Sequence, residues 1–376
     1  MNQTQVTTEG LEHVRPGREA TIGVNVGPGG MGQPSTARKK GSGGEQPTVP
    51  PAEFSSYYGK PIINQPVWEA KDIAGYLFLG GLAGAGSVVA AGAHFSGRAR
   101  LARVLKVGSA AAASLSFVAL VHDLGRRARF VNMLRTFKPS SPMSVGSWIL
   151  SAYGPPAAVA ALSDVTGIAP SAGAMATLAA AVAGPAVATY TAALISNTAV
   201  PAWHDCYRDM PFVFASSAVT SAAGLGLVGA PLEETAPVRF LGVAAGAAEL
   251  GLEKLMEERA GLAKEAFKDG KAKQYHRLAQ GLLAGGVAAA LLGRRSRVLS
   301  ALAGAALFSG SAFTRFAIFE AGLASAKDPR YTVVPQRRRL TERGGQPTPA
   351  RKDEPSSDPA PTGLGDGASG DGSSPS

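Results

Sequence analysis

Two carboxylates, Glu249 and Glu253, stand four residues apart in a largely apolar stretch of this 376-residue chain. Four residues make about one helical turn, so both fall on one helix face. Upstream, His122 and Asp123 close another apolar run, just before Arg126, Arg127, Arg129 and Arg135. Asp72 and Tyr76 stand at the opening of a third, and Arg315 and Glu320 lie inside a fourth. Clustered groups of this kind exchange protons: a carboxyl or imidazole gives or takes one, and its neighbours set how readily. Within a membrane segment they are costly to hold and are functional candidates by default. His122, Asp123, Glu249 and Glu253 are therefore the candidate catalytic residues. The arginine run suits a different task, docking a partner or fixing one loop on one side of a bilayer. Plain structural readings compete with these. Glu249 and Glu253 can pair with Lys254 or Arg315, Arg315 with Glu320, and His122 can be an ordinary interface histidine. His204 and His276 read as loop residues.

The elements that must hold these residues are apolar blocks. Mean hydropathy is only +0.07, but the apolar residues gather between Ile73 and Leu323. They are mostly Ala, Gly, Leu and Val, which suits close helix packing in lipid. The pattern predicts helices over residues 73–95, 104–124, 144–162, 172–197, 211–228, 238–255, 275–292 and 298–323. Each is near the roughly 20 residues that a crossing needs. Pro155–Pro156 should kink the third, and Lys106 can snorkel from one end of the second. The expected fold is all-α: a polytopic membrane bundle of about eight transmembrane helices over residues 73–326. Residues 1–52 are a disordered N-terminal tail too poor in large apolar groups to fold, and residues 327–376 a polar C-terminal tail, disordered for the most part, from Thr341 onward. Residues 53–72, with Tyr57, Tyr58 and Trp68, read as an aromatic segment at the interface.

A formal charge of +10 marks nucleic acid, an anionic membrane surface or topology signals. The basic residues sit in short connections between apolar blocks, so the lipid bilayer is the expected partner and nucleic acid is not. Lys and Arg are more frequent in the connections after the second, fourth and sixth helices, which favours cytoplasmic termini. Cys206 is the only cysteine. That rules out an intramolecular disulfide, and also an iron–sulfur cluster held by this chain alone. The first fifty residues show no apolar core of a signal peptide.

Parity places the chemistry. In an eight-crossing bundle, the starts of odd helices and the ends of even ones share one membrane side. Asp72, Tyr76, His122, Asp123, Arg126, Asn197, His204, Glu249, Glu253, His276, Arg315 and Glu320 all fall toward that side.

Asp-Leu-Gly-Arg-Arg-Ala-Arg-Phe at residues 123–130, Ser-Ser-Pro-Met-Ser at 140–144 and Trp148 together form a pattern. It resembles the NrfD/polysulphide-reductase membrane-subunit family. Tyr-Leu-Phe-Leu-Gly-Gly-Leu-Ala at residues 76–83 is similar to that family's first helix. Arg127 departs from it, standing where members often carry Pro. The resemblance implies an integral membrane subunit of a multi-subunit oxidoreductase in the bacterial inner membrane, with no metal of its own. It implies a quinone or quinol (menaquinone or ubiquinone) bound near one face, with Asp72, Tyr76, His122 and Asp123 as positional candidates. It also implies two partners. One is a ferredoxin-like iron–sulfur subunit, which would dock on Arg126, Arg127, Arg129 and Arg135. The other is a large catalytic subunit, often molybdopterin-dependent. The rival is a secondary transporter or ion-translocating permease, which the Pro-broken helices and buried carboxylates also suit. A haem cytochrome needs facing histidines, and His94 and His122 are expected at opposite faces.

Overall fold

The structure, a computed structural model, describes residues 62–66, 68–123 and 129–342, with side chains omitted for residues 129–131. Among these residues every regular element is helical. Apart from two 3-10 helices, Leu232–Glu234 and Gly261–Lys268, they are, in chain order, α1 (Ala70–Phe95), α2 (Ala99–Asp123), α3 (Arg129–Leu134), α4 (Pro142–Thr166), α5 (Pro170–Ser196) and α6 (Pro201–Asp205). There follow α7 (Met210–Gly229), α8 (Ala236–Arg259), α9 (Gly270–Leu292), α10 (Arg297–Lys327) and α11 (Arg330–Glu342). All eight apolar blocks fold as long helices within a few residues of the expected bounds.

Local chemistry sets the ends. Proline near the start of α4, α5 and α7 costs no helical hydrogen bond there. The Ser296 side chain accepts from Leu299 N–H and caps α10. Gly167, at φ 73°, closes α4 in the left-handed region. Pro155, Pro156 and Pro185 sit inside helices that continue through them.

The count of crossings differs from the expectation. Six helices, α1, α2, α4, α5, α7 and α10, are long and apolar enough to cross a membrane, where eight were expected. The helices expected over 238–255 and 275–292 form as α8 and α9 but fall short on apolarity. Arg239, Glu249, Glu253, Lys254 and Glu257 interrupt α8, and Lys271, Lys273 and Arg277 open α9. Both still pack within the bundle, α8 on α7 and α9 on α10.

Close backbone contact joins the long helices. α1 packs on α2, α5, α7 and α10. A Cβ on Gly84 would collide with the Gly184 carbonyl of α5. At Gly224 of α7 a Cβ would stand 2.6 Å from the Gly304 carbonyl oxygen of α10. Lipid supplies no hydrophobic drive between helices, so association rests on such packing.

The expected parity holds. Ile73, Trp203, Met210, Met256, Phe267 and Phe319 form one buried cluster at the end shared by the starts of α1, α7 and α9 and the ends of α8 and α10. Trp68 belongs to this end, its ring stacked on Trp203 at 5.9 Å. Tyr57 and Tyr58 lie outside the described residues. At the other end, Lys106 is buried and does not snorkel outward. Its Nζ lies 2.8 Å from Asp164 Oδ1 and 3.2 Å from His94 Nδ1. A carboxylate within reach makes the inward position tolerable. Residues 334–376 are a unit of their own, described as far as Glu342.

Replacing Gly224 by Leu should force α7 from α10 and cost about 3 kcal/mol, the upper part of the overpacking range. Gly92, with nothing within 4 Å of its added Cβ, should accept Leu without loss. Thermal unfolding of the two purified variants in one detergent checks the contrast.

Candidate functional site

At the end of α2, His122 Nδ1 lies 2.7 Å from Asp72 Oδ2 of α1. The partner is therefore not Asp123, its sequence neighbour. Adjacent residues project about 100° apart on a helix, whereas the α1–α2 contact brings Asp72 directly to the ring. A carboxylate on Nδ1 favours the proton there and orients the ring. The His122 side chain is 67% exposed and that of Asp72 22%, so the pair lies at the bundle's rim. Asp123 is half-buried beside it. Tyr76 stands one turn into α1 from Asp72 but is buried, its ring edge-on to Tyr190 at 6.5 Å. It thus lies beneath the rim pair, in the core.

A groove of about 490 Å³ runs between α2 and α4, lined among others by Ala113, Phe117, Val118, Leu150, Ser151 and Pro155. Val118 and His122 are one turn apart on the same face of α2, so the groove leads toward the rim pair. Of the basic docking candidates, Arg126 and Arg127 lie outside the described residues. Arg129 begins α3, its side chain likewise outside them, and Arg135 is exposed just after α3.

The second cluster is deep. Glu249 and Glu253 of α8 and Arg315 of α10 are 0%, 2% and 1% exposed. Ser311 Oγ donates to Glu249 Oε2 at 2.9 Å. Arg315 Nη2 donates to the Phe214 carbonyl at 2.7 Å, and its guanidinium lies 3.6 Å from the Phe214 ring centroid. Arg315 therefore turns toward α7 and α8. Lys254, the other partner considered for the carboxylates, is exposed. Glu249 Oε1, both Glu253 oxygens, Ser217 Oγ, and Arg315 Nε and Nη1 are buried without a hydrogen-bond partner. One turn beyond Glu253, Glu257 Oε1 lies 2.7 Å from His276 Nε2 of α9. His276 is thus part of a cluster and not a loop residue. The signal for it in the sequence is that the four-residue spacing of Glu249 and Glu253 continues to Glu257. His204 Nδ1 approaches only the Ser196 carbonyl, at 3.2 Å.

Cys206 follows α6 and is buried. Burial, reinforced by Asp205, Asp209 and Glu257, pushes its thiol up to about 12, so at neutral pH it is neither nucleophile nor thiolate ligand. Among the described residues no three His, Cys, Asp or Glu side chains are grouped to hold a metal ion.

Residues 62–232 match the family described as "Polysulphide reductase, NrfD". That stretch is similar to the NrfD family. With the six candidate crossings, the chain has the make-up of a multi-pass membrane protein, and its resemblance to the NrfD family is confined to residues 62–232. No curated protein matches the chain significantly. The NrfD-like stretch contains α1 to α7, hence the Asp72–His122 pair and the α2–α4 groove. It ends before α8, so Glu249, Glu253, His276 and Arg315 all lie beyond it.

Arg315→Met should leave the buried Glu249 carboxylate without its counter-charge and cost about 3–5 kcal/mol. Adding Glu249→Gln should recover part of that loss. A double-mutant cycle by detergent unfolding checks it; strictly additive losses would mean the two residues are uncoupled.

Proposed function

We propose that the chain is the quinone- or quinol-binding membrane subunit of an oxidoreductase complex and exchanges electrons with an iron–sulfur partner. The observation that carries this is the Asp72–His122 pair at the rim, with the α2–α4 groove leading to it. A bound quinone would supply a two-electron, two-proton couple. The groove suits an isoprenoid tail, being lined by Ala, Phe, Val and Leu with few polar groups. His122 then holds or releases a proton at Nε2, while Asp72 orients the ring and stabilises its charged form. Asp123 is a second acid at the same rim. Tyr76, buried one turn further into α1, completes the quinone-binding candidates beneath the pair.

The segment that follows α2 in sequence is the docking surface in this proposal. Its run of Arg126, Arg127, Arg129 and Arg135 suits a ferredoxin-like subunit with an acidic face. A large catalytic subunit, of the molybdopterin class in the family reading, would complete the electron path. The location that follows is the bacterial inner membrane, with this face and both termini cytoplasmic.

One observation favours a second reading, an ion-translocating permease: the buried charges of α8 and α10 lie beyond the NrfD-like stretch. Affinity purification in mild detergent separates the two. The first reading expects iron, extractable quinone and a large oxidoreductase subunit in the eluate; an iron-free, quinone-free single species favours the second. Within the complex, His122→Ala and Asp72→Asn should each lower quinone-linked turnover about 100-fold while assembly persists. Full turnover in both variants would overturn the site.

A further inference from the structure

The cluster between α7, α8 and α10 has an unbalanced charge. An arginine stays protonated in proteins, so Arg315 neutralises one carboxylate. With Glu249 and Glu253 both ionised, one negative charge would be left over in a shell that excludes water. Such a charge is neutralised more cheaply than it is buried. Ser311 Oγ donates to Glu249 Oε2 at 2.9 Å, whereas neither Glu253 oxygen has a hydrogen bond. Glu249 is therefore the ionised partner, and Glu253 carries the surplus. Both oxygens of Glu253 are bare of hydrogen bonds, as is Ser217 Oγ across from α8. These atoms are poised for a proton and a small hydrogen-bonded bridge.

We infer that this pocket holds one exchangeable proton, on Glu253, and that Glu257 and His276 are its route to the membrane face that Asp72 and His122 share. The outlet is visible in the exposures: the Glu257 side chain is 20% and that of His276 15% exposed, against a sealed Glu253. From Glu253 to the end of α8 at Arg259 is about 9 Å at 1.5 Å per residue, so the route enters roughly a third of a bilayer core of about 30 Å. The proton leaves the Glu253 carboxyl O–H, is relayed through Glu257, protonates His276 Nε2 and passes to water. Glu253 is left as carboxylate until the reverse transfer. The charged groups that act on Glu253 are Glu249 and Glu257 on α8, His276 on α9 and Arg315 on α10. α7 offers hydroxyls, its one acid, Asp209 at the cap, being held by Arg259 at 2.8 Å. A metal cation in place of the proton would face the two unbonded N–H groups of Arg315.

The inference stands apart from the quinone reading, and infrared spectroscopy of the full chain in detergent tests it without turnover. The protonated-carboxyl C=O band should appear in the wild type, shift slowly in D₂O, and vanish in Glu253→Gln. That variant should unfold at the wild-type temperature, because Gln mimics the neutral acid. Glu249→Gln removes the surplus charge and leaves Arg315 to Glu253, so it should weaken or abolish the band and, unlike Glu253→Gln, unfold earlier. His276→Ala should keep the band and slow its deuterium shift at least tenfold. A band that survives Glu253→Gln, no band in the folded wild type, or a Glu253→Gln chain that fails to fold overturns the assignment. So does loss of the band on replacing choline chloride by sodium chloride at fixed pH, which would make this a cation site. An unchanged exchange rate in His276→Ala would overturn the route.

Discussion

α1 must lie against four helices at once, and only small residues allow it. Gly84 meets the backbone of α5, and Gly81 leaves the room that Arg315 occupies, with Nη2 3.4 Å from where a Cβ would be. The matching contact of Gly224 with Gly304 joins α7 to α10. These close approaches fix the spacing in which polar side chains find partners across helices. Widened by one side chain, the bundle would separate Asp72 from His122 and admit water to the Glu249 shell. Backbone packing thus sets the geometry of both clusters, though neither cluster contains a glycine.

The two clusters differ in kind. The rim pair is wet, built from the ends of α1 and α2, and falls within the NrfD-like stretch. The deep cluster is dry, built by α7, α8 and α10, and its charged members lie beyond that stretch. They nonetheless open toward the same end of the bundle. Proton exchange at the rim and in the depth would therefore draw on one aqueous phase.

Much of this was readable from sequence. Each apolar block became a helix, because length and small-residue composition leave few other ways to satisfy a backbone in lipid. Parity placed the ionisable residues at one end without any knowledge of packing. What failed depended on partners across space. Periodicity could not show that His122 bonds Asp72 instead of its neighbour Asp123. Nor could it show that Lys106 turns inward, since the deciding carboxylate, Asp164, belongs to another helix. The span count failed at α8 and α9 for a related reason. Glu249 and Glu253 are buried against neighbouring helices, while Lys254, Lys271, Lys273 and Arg277 are exposed, so both helices pack within the bundle while remaining too polar by composition.

Lys106 bears on the order of assembly. Its carboxylate arrives with α4, 58 residues later in the chain. A nascent α1–α2 hairpin therefore carries an unneutralised ammonium along the surface that α4 will cover. Burying that surface becomes favourable only when Asp164 is delivered to the same end. Biogenesis of this membrane domain is thus coupled over three long helices: the first two are not a finished unit, and α4 completes them.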